Sequence, residues 1–153
     1  MIKILIDLNA FSIFFVKNHP GYEFIKPKIE EGLKGKVSLI IPEILPFRAF
    51  WILTTKWRIE KKISFKLISD FIKNYSLPKY AGLSHNSIEK SFELSKELKH
   101  DIYDCYYLSI ALQENAKRIL TTDTGFEKIC DKIEVDYENP VPLEILEKFQ
   151  NYK

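Results

Sequence analysis

Long apolar runs are missing from this sequence. No stretch approaches the roughly 20 consecutive apolar residues of a transmembrane helix, so an α-helical membrane protein is excluded. The opening run, MIKILIDLNAF, is interrupted by Asp7 too early for a secretory signal. Glycine is scarce, with five in 153 residues, and none stands in a GxGxxG or GxxxxGK[ST] pattern. Dinucleotide and P-loop phosphate cradles are thereby excluded. The only cysteines, Cys105 and Cys130, have no metal-like spacing, and the three histidines, His19, His85 and His100, are scattered. A zinc site is therefore not expected. Cys105 lies in an apolar helical stretch and reads as a core thiol. Free cysteines without a leader point to the reducing cytoplasm. There is no GxSxG elbow for a serine nucleophile. Net charge is only +2, so a polyanionic partner must be met by a local basic patch rather than by the whole surface.

Apolar and aromatic side chains are plentiful, at 46% and 14%, enough for a sizeable core in a chain of this length. No repeat, low-complexity segment or linker interrupts residues 1–153, so a single domain is expected. The short β-rich runs 2–6, 37–42, 117–122 and 132–137 read as strands, with a further edge strand near 78–84. Helical spacing runs over 9–17, over 22–35 with a break near Pro27, and over 43–59, 64–75, 87–99 and 101–116. A short helical turn follows at 125–130, and the tail after Asn139 carries one more short helix. In the 43–59 segment, Phe47, Phe50 and Trp51 fall on one helical face and read as core. Strands alternating with helices predict a three-layer α/β/α domain with a mainly parallel central sheet.

In such sheets, sites form beyond the carboxyl ends of the strands. Four acids fall there. Asp7 ends the first strand, Glu43 follows the second, Asp104 lies in the first turn of the helix that begins near 101, and Asp123 ends the strand that this helix feeds. Each has an ordinary alternative. Asp7 can cap the next helix, and Glu43 can favour a helix dipole. Asp101 and Asp104 resemble a capping pair, and Asp123, before Thr124 and Gly125, can be a turn residue. A shared cause covers all four: clustered carboxylates repel unless a hard cation compensates them, and Mg²⁺ or Mn²⁺ prefers oxygen ligands.

Three segments, ILIDLNAF at the N-terminus, IPEIL after the second strand and YDCYYLSIALQENAKRILTTDTGF near the C-terminus, resemble in order and spacing the PIN-domain ribonucleases, and most closely the small VapC-type toxins of toxin–antitoxin systems. The resemblance implies a PIN-like fold over 1–153 and a Mg²⁺- or Mn²⁺-dependent endoribonuclease. It implies an acidic quartet of Asp7, Glu43, Asp104 and Asp123, with Asp7, Asp104 and Asp123 as metal ligands. Asp104 is preferred to the neighbouring Asp101 because it stands in the family's register before the apolar helix. Asn9 and the hydroxyls of Thr121 or Thr122 match the family's supporting polar positions. RNA as substrate, a homodimer and a cognate antitoxin follow from the same resemblance, as do the alternatives of an RNA-processing nuclease or a catalytically degenerate PIN-like binding module. The densest basic stretch, KWRIEKKISFK, places Lys56, Arg58, Lys61 and Lys62 around Trp57. It reads either as the approach for RNA or as a solvated helix end around one buried tryptophan. An aspartyl-phosphate enzyme would carry D-x-D where this chain has DLN.

Overall fold

The computed structural model describes residues 1–152. Strand β1 (Lys3–Ile6) lies at the centre of a five-stranded sheet. It pairs in parallel with β2 (Ser38–Pro42) on one side and β4 (Arg118–Leu120) on the other. The edges are β3 (Lys79–Ala81), parallel to β2, and β5 (Asp136–Glu138), parallel to β4. A central strand has no solvent face, which is why ILI in β1 is uninterrupted apolar sequence and fully buried.

The order β3-β2-β1-β4-β5 carries the functional consequence. The chain winds outward from β1 to β2 to β3, then returns past β1 to β4 and continues outward to β5. Helices α1 (Leu8–Ile13) and α2 (Tyr22–Leu33) link β1 to β2. Helix α3 (Leu45–Trp51), a π turn at Ile52–Lys56 and α4 (Lys61–Asn74) link β2 to β3. Helices α5 (His85–Leu98) and α6 (Ile102–Gln113) lead back to β4, and α7 (Phe126–Cys130) joins β4 to β5. A short helix α8 (Leu143–Leu146) and a 3-10 turn, Glu147–Asn151, follow. Right-handed crossovers place helices reached in opposite winding directions on opposite faces. Accordingly α1, α3 and α4 pack together in one layer, and α5 packs on α6 in the other. The winding reverses between β1 and β4. Their carboxyl ends diverge into helices on different faces and leave a crevice.

Several local expectations need correction. Helix α2 runs unbroken through Pro27. Pro27 is exposed in its second turn, where the one carbonyl it deprives of a donor lies near the helix start and can be hydrated. The first helix stops at Ile13 rather than at residue 17. Phe14 and Phe15 leave it in tight turns, so that the rings of Phe11, Phe14 and Phe15 all meet Phe71 of α4 edge-on at 5.5–5.7 Å. The segment 43–59 is not one helix: α3 begins at Leu45, and after Trp51 the backbone widens, Trp57 N–H bonding to the Ile52 carbonyl five residues back at 2.9 Å. Of its aromatic face only Phe50 packs against the core, half-buried. Phe47 is 77% and Trp51 59% exposed, while Leu45, Ala49, Ile52 and Leu53 are buried instead. The last strand is confined to Asp136–Glu138 because residues 131–134 turn. Cys105 is free and buried, as expected of a core thiol, and Cys130 is free and buried too. Lys153 lies outside the described residues.

Asp101 caps α6, its carboxylate accepting from the Tyr103 and Asp104 N–H groups at 2.9 and 3.3 Å. Removing an N-cap of this kind costs about 0.5–2 kcal/mol. Asp101→Ala should therefore destabilise the metal-free protein by about 1 kcal/mol in urea melts, and Asp104→Asn by less, because the cap survives in that variant.

Candidate active site

Asp7 occupies the residue after β1 and caps α1, its Oδ1 accepting from the Ala10 N–H at 3.1 Å. Its Oδ2 accepts from the Thr121 hydroxyl. That contact spans the crevice between β1 and β4, and the two strands are locked there by the Asp7 N–H bonding to the Leu120 carbonyl at 3.1 Å. The same Thr121 oxygen accepts from the Asp123 N–H at 2.9 Å, and the Asp123 Oδ1 accepts from the Gly125 N–H at 2.8 Å. Asp123 is thus a turn residue and a rim carboxylate at once. Thr121 and Thr122 are both buried, but it is the Thr121 hydroxyl that bonds to both rim acids.

Asp7 is 3% exposed. Burial pushes its carboxyl from 3.8 up to about 7; the bonds from Thr121 and Ala10 oppose this, and the charges of Asp123 and Asp104 add to it. Asp104, half-buried on the first turn of α6, is raised by burial; its hydrogen bond to His100 opposes the shift and the charge of Asp123 adds to it. Three carboxylates therefore act on one another across the crevice. His100 Nε2 meets Asp104 Oδ2 at 2.7 Å, fixing that side chain from the turn before α6.

Glu43 stands apart from this trio. It follows β2, one strand further out on the same rim, with its N–H on the Ala81 carbonyl at 2.9 Å. Its carboxylate lies over Gly82, where a Cβ would meet Glu43 Oε1 at 2.5 Å, and its charge is felt by Tyr106. Asn9 is exposed beside Thr122 and Asp123. Lys56 borders the same space, whereas Arg58, Lys61 and Lys62 are exposed around the start of α4.

The PIN domain family model matches residues 4–132, from β1 through α7. The chain belongs to the PIN domain family. The search of curated proteins returned no match. Among solved structures, this PIN domain resembles the Mycobacterium tuberculosis toxin VapC20, a sarcin–ricin loop cleaving toxin, at a TM-score of 0.66 and 8% identity, covering 82% of this chain and 94% of that one. VapBC2 from Rickettsia felis, bound to a DNA fragment from its promoter, matches at 0.66 and 19% identity over 90% and 98% of the two chains. FitAcB from Neisseria gonorrhoeae matches at 0.61 and 18% identity over 90% and 97%. At such identities the likeness is one of fold.

Sequence reasoning passed over three residues of this PIN site. His100 was one of three scattered histidines, although its place four residues before Asp104 is a usable signal. Arg48, the lone cation between Val37 and Thr55, donates from Nη1 to the Tyr107 hydroxyl at 2.6 Å and lies 4.3 Å from the centre of the Tyr103 ring. Burial pushes that Tyr107 hydroxyl up to about 12; Arg48 opposes the shift and Asp7 adds to it. The tyrosine thus lies between the Asp7 charge and a guanidinium.

A native pKa above the unfolded value means that the folded state holds a proton the unfolded chain has released. Stability from Asp7 is therefore present below about pH 4 and lost as pH rises through about 7. His19 works in the other direction: burial, with help from Lys56, lowers it to about 4, so its contribution is lost as pH falls from 6.5 through 4. Comparing wild type with Asp7→Asn isolates the first effect. In EDTA, the variant should gain on wild type between pH 4 and pH 8, by about 4 kcal/mol at most. Urea melts at each pH check this, and a constant difference would mean that Asp7 titrates as in a free peptide.

Proposed function

We propose that residues 1–153 act as one cytoplasmic Mg²⁺- or Mn²⁺-dependent endoribonuclease, the toxin of a toxin–antitoxin pair. The observation that carries this reading is the meeting of Asp7 and Asp123 at the β1/β4 reversal, with Asp104 close enough to oppose the ionisation of Asp7. Family membership and the likeness to VapC20 and VapBC2 support it.

The donor set fits a hard cation. All the offered atoms are carboxylate oxygens, and the buried Asp7 carboxyl lacks a compensating positive neighbour among those that shift it. Among the described residues, no group of three His, Cys, Asp or Glu side chains is gathered closely enough to hold an ion alone. Mg²⁺ needs no such cage, since it keeps several waters and takes one or two carboxylates. Asp7, Asp104 and Asp123 would hold it, one or two of them directly and the rest through its waters. A divalent ion bound there would supply Lewis-acid polarisation of a phosphodiester oxygen and make water a stronger acid. The chain's own contributions are orientation and charge. Thr121 aims the Asp7 carboxylate, His100 aims that of Asp104, and the Gly125 N–H aims that of Asp123. Glu43, with no residue between it and solvent, serves the outer rim, where it can orient an incoming water. Lys56 meets the strand beside Asp123, and Arg58, Lys61 and Lys62 extend its approach. Hydrolysis by activated water does not use the 2′-hydroxyl as nucleophile, so DNA is the informative control substrate.

Partners belong to the same reading: a cognate antitoxin and a second copy of the chain. Support comes from the apolar groove between α3 and α4, where Phe47 and Phe65 are 77% and 67% exposed beside Pro46, Phe50 and Ile72. Isolated monomers seldom leave such contiguous apolar surface uncovered.

Two outcomes test this. Mn²⁺ should raise the melting temperature of wild type by mass action and raise it less in Asp7→Asn and Asp104→Asn; equal rises in all three proteins would remove the shared site. Asp123→Asn should keep its fold, since asparagine makes the same turn bond to Gly125, yet lose Mn²⁺-dependent cleavage of structured RNA by about 100-fold or more. Undiminished cleavage in a gel assay would reduce Asp123 to a turn residue.

A further inference from the structure

Beside Asp123 opens a cavity of about 290 Å³, lined by Asn9 and Asp123 at the rim, while His19, Lys56, Trp57 and Phe149 supply a second wall segment. The second wall is assembled from three distant places. His19 comes from the loop after α1, Lys56 and Trp57 from the end of the π turn, and Phe149 from the C-terminal 3-10 turn. Each is held there by a specific contact. The i to i−5 bond from Trp57 N–H to Ile52 turns the chain toward the rim, and π turns of this kind occur often at functional sites. Phe149 rests on Gly21, where a Cβ would meet its Cζ at 2.7 Å, so a larger residue at 21 would push the Phe149 ring away from its present place in the wall.

His19 is the informative residue. It is 5% exposed, and its ring centre lies 5.0 Å from that of Trp57 and 4.6 Å from that of Phe149. Its Nδ1 accepts from the Gly21 N–H at 3.0 Å. An accepting Nδ1 leaves the proton on Nε2, and no described residue accepts from that nitrogen. That donor is not sealed from solvent, so it is free to donate to a ligand that brings an acceptor. The volume lies at the lower end of small-ligand cavities, so it admits one planar ring rather than an extended molecule. Aromatic walls, an edge donor that no described residue engages and a lysine next to a carboxylate rim match a base and its phosphate. Single-stranded RNA is read by splaying bases onto aromatic side chains in this way.

We propose that this cavity receives one unstacked nucleobase of the substrate strand, adjacent to the phosphate that is cut. Its face lies against Trp57 and Phe149, its edge accepts from His19 Nε2–H, and its phosphate meets Lys56. The proposal rests on the nuclease reading for its substrate, but its test does not rest on cleavage.

Trp51 is exposed on α3, and Trp51→Phe leaves Trp57 as the sole tryptophan of the chain. That protein, in EDTA, is titrated with the four homotetranucleotides of RNA and with an abasic tetramer carrying the same phosphates. At least one base-bearing tetramer should change Trp57 fluorescence and bind about tenfold more tightly than the abasic one. Lys56→Gln should weaken every probe, abasic included. Phe149→Leu should weaken only the base-bearing probes, and His19→Phe should change the ranking of the four bases. Equal binding of the abasic and all natural tetramers, or binding to which Trp57 is silent, overturns the proposal. Should Phe149→Leu or His19→Phe fail to fold, the comparison of natural with abasic tetramers decides alone. Mn²⁺-dependent cleavage without base-dependent binding would overturn the cavity and leave the nuclease standing. Base-dependent binding without cleavage under any divalent ion would do the reverse.

Discussion

A carboxyl group buried where the winding of the sheet reverses governs the rest of this structure. Asp7 follows the central strand and is only 3% exposed. It remains there because its two oxygens are occupied by the Ala10 N–H and the Thr121 hydroxyl. Those contacts are also what align β1 and β4 at their carboxyl ends. The stabilising and the functional arrangements are thus the same bonds. Turning Thr121 away from Asp7 would free the carboxylate, and it would also loosen the turn that presents Asp123.

This arrangement carries a cost in the metal-free protein. Asp123 and Asp104 both disfavour charge on Asp7, and a bound divalent ion would remove the penalty that they impose. Sites that bind or react commonly hold such groups at the expense of stability. Local relief comes from uncharged donors and from His100, each of which orients a carboxylate without neutralising the crevice. Arg48 is held back from it by the Tyr107 hydroxyl. The wall of the neighbouring cavity follows the same economy: His19 is fixed through one ring nitrogen, and the other is left without a partner.

Much of the fold was legible because the signals were local. An uninterrupted apolar run such as ILI belongs to a strand covered on both faces, and RILTT before Asp123 repeats the pattern. The parallel sheet and the edge strand at 79–81 followed from alternation of strands and helices. The aromatic face of α3 was misread for a physical reason: Phe47, Phe50 and Trp51 have the spacing of a buried stripe, but periodicity reports that a face is apolar without saying what covers it. Pro27 was misread because a proline signals a lost hydrogen bond and does not say whether water can replace it. The candidate acids Asp7, Asp104 and Asp123 stood out by position at strand and helix ends, while His100 and Arg48 did not, since a side chain that works by touching another residue carries no mark of its own.

The sequence by itself determined the α/β class, the strand ends that carry acids and the family, because these depend on residue types at short spacing. Tertiary structure alone decided that Asp7 and Asp123 are neighbours and that Glu43 leans away toward Gly82. It alone brought His19, Trp57 and Phe149 together from positions spread over 130 residues. The reason is the strand order: seating β4 on the side of β1 away from β2 is a choice among sheet topologies. That choice is made by packing the whole chain, and no window of residues contains it.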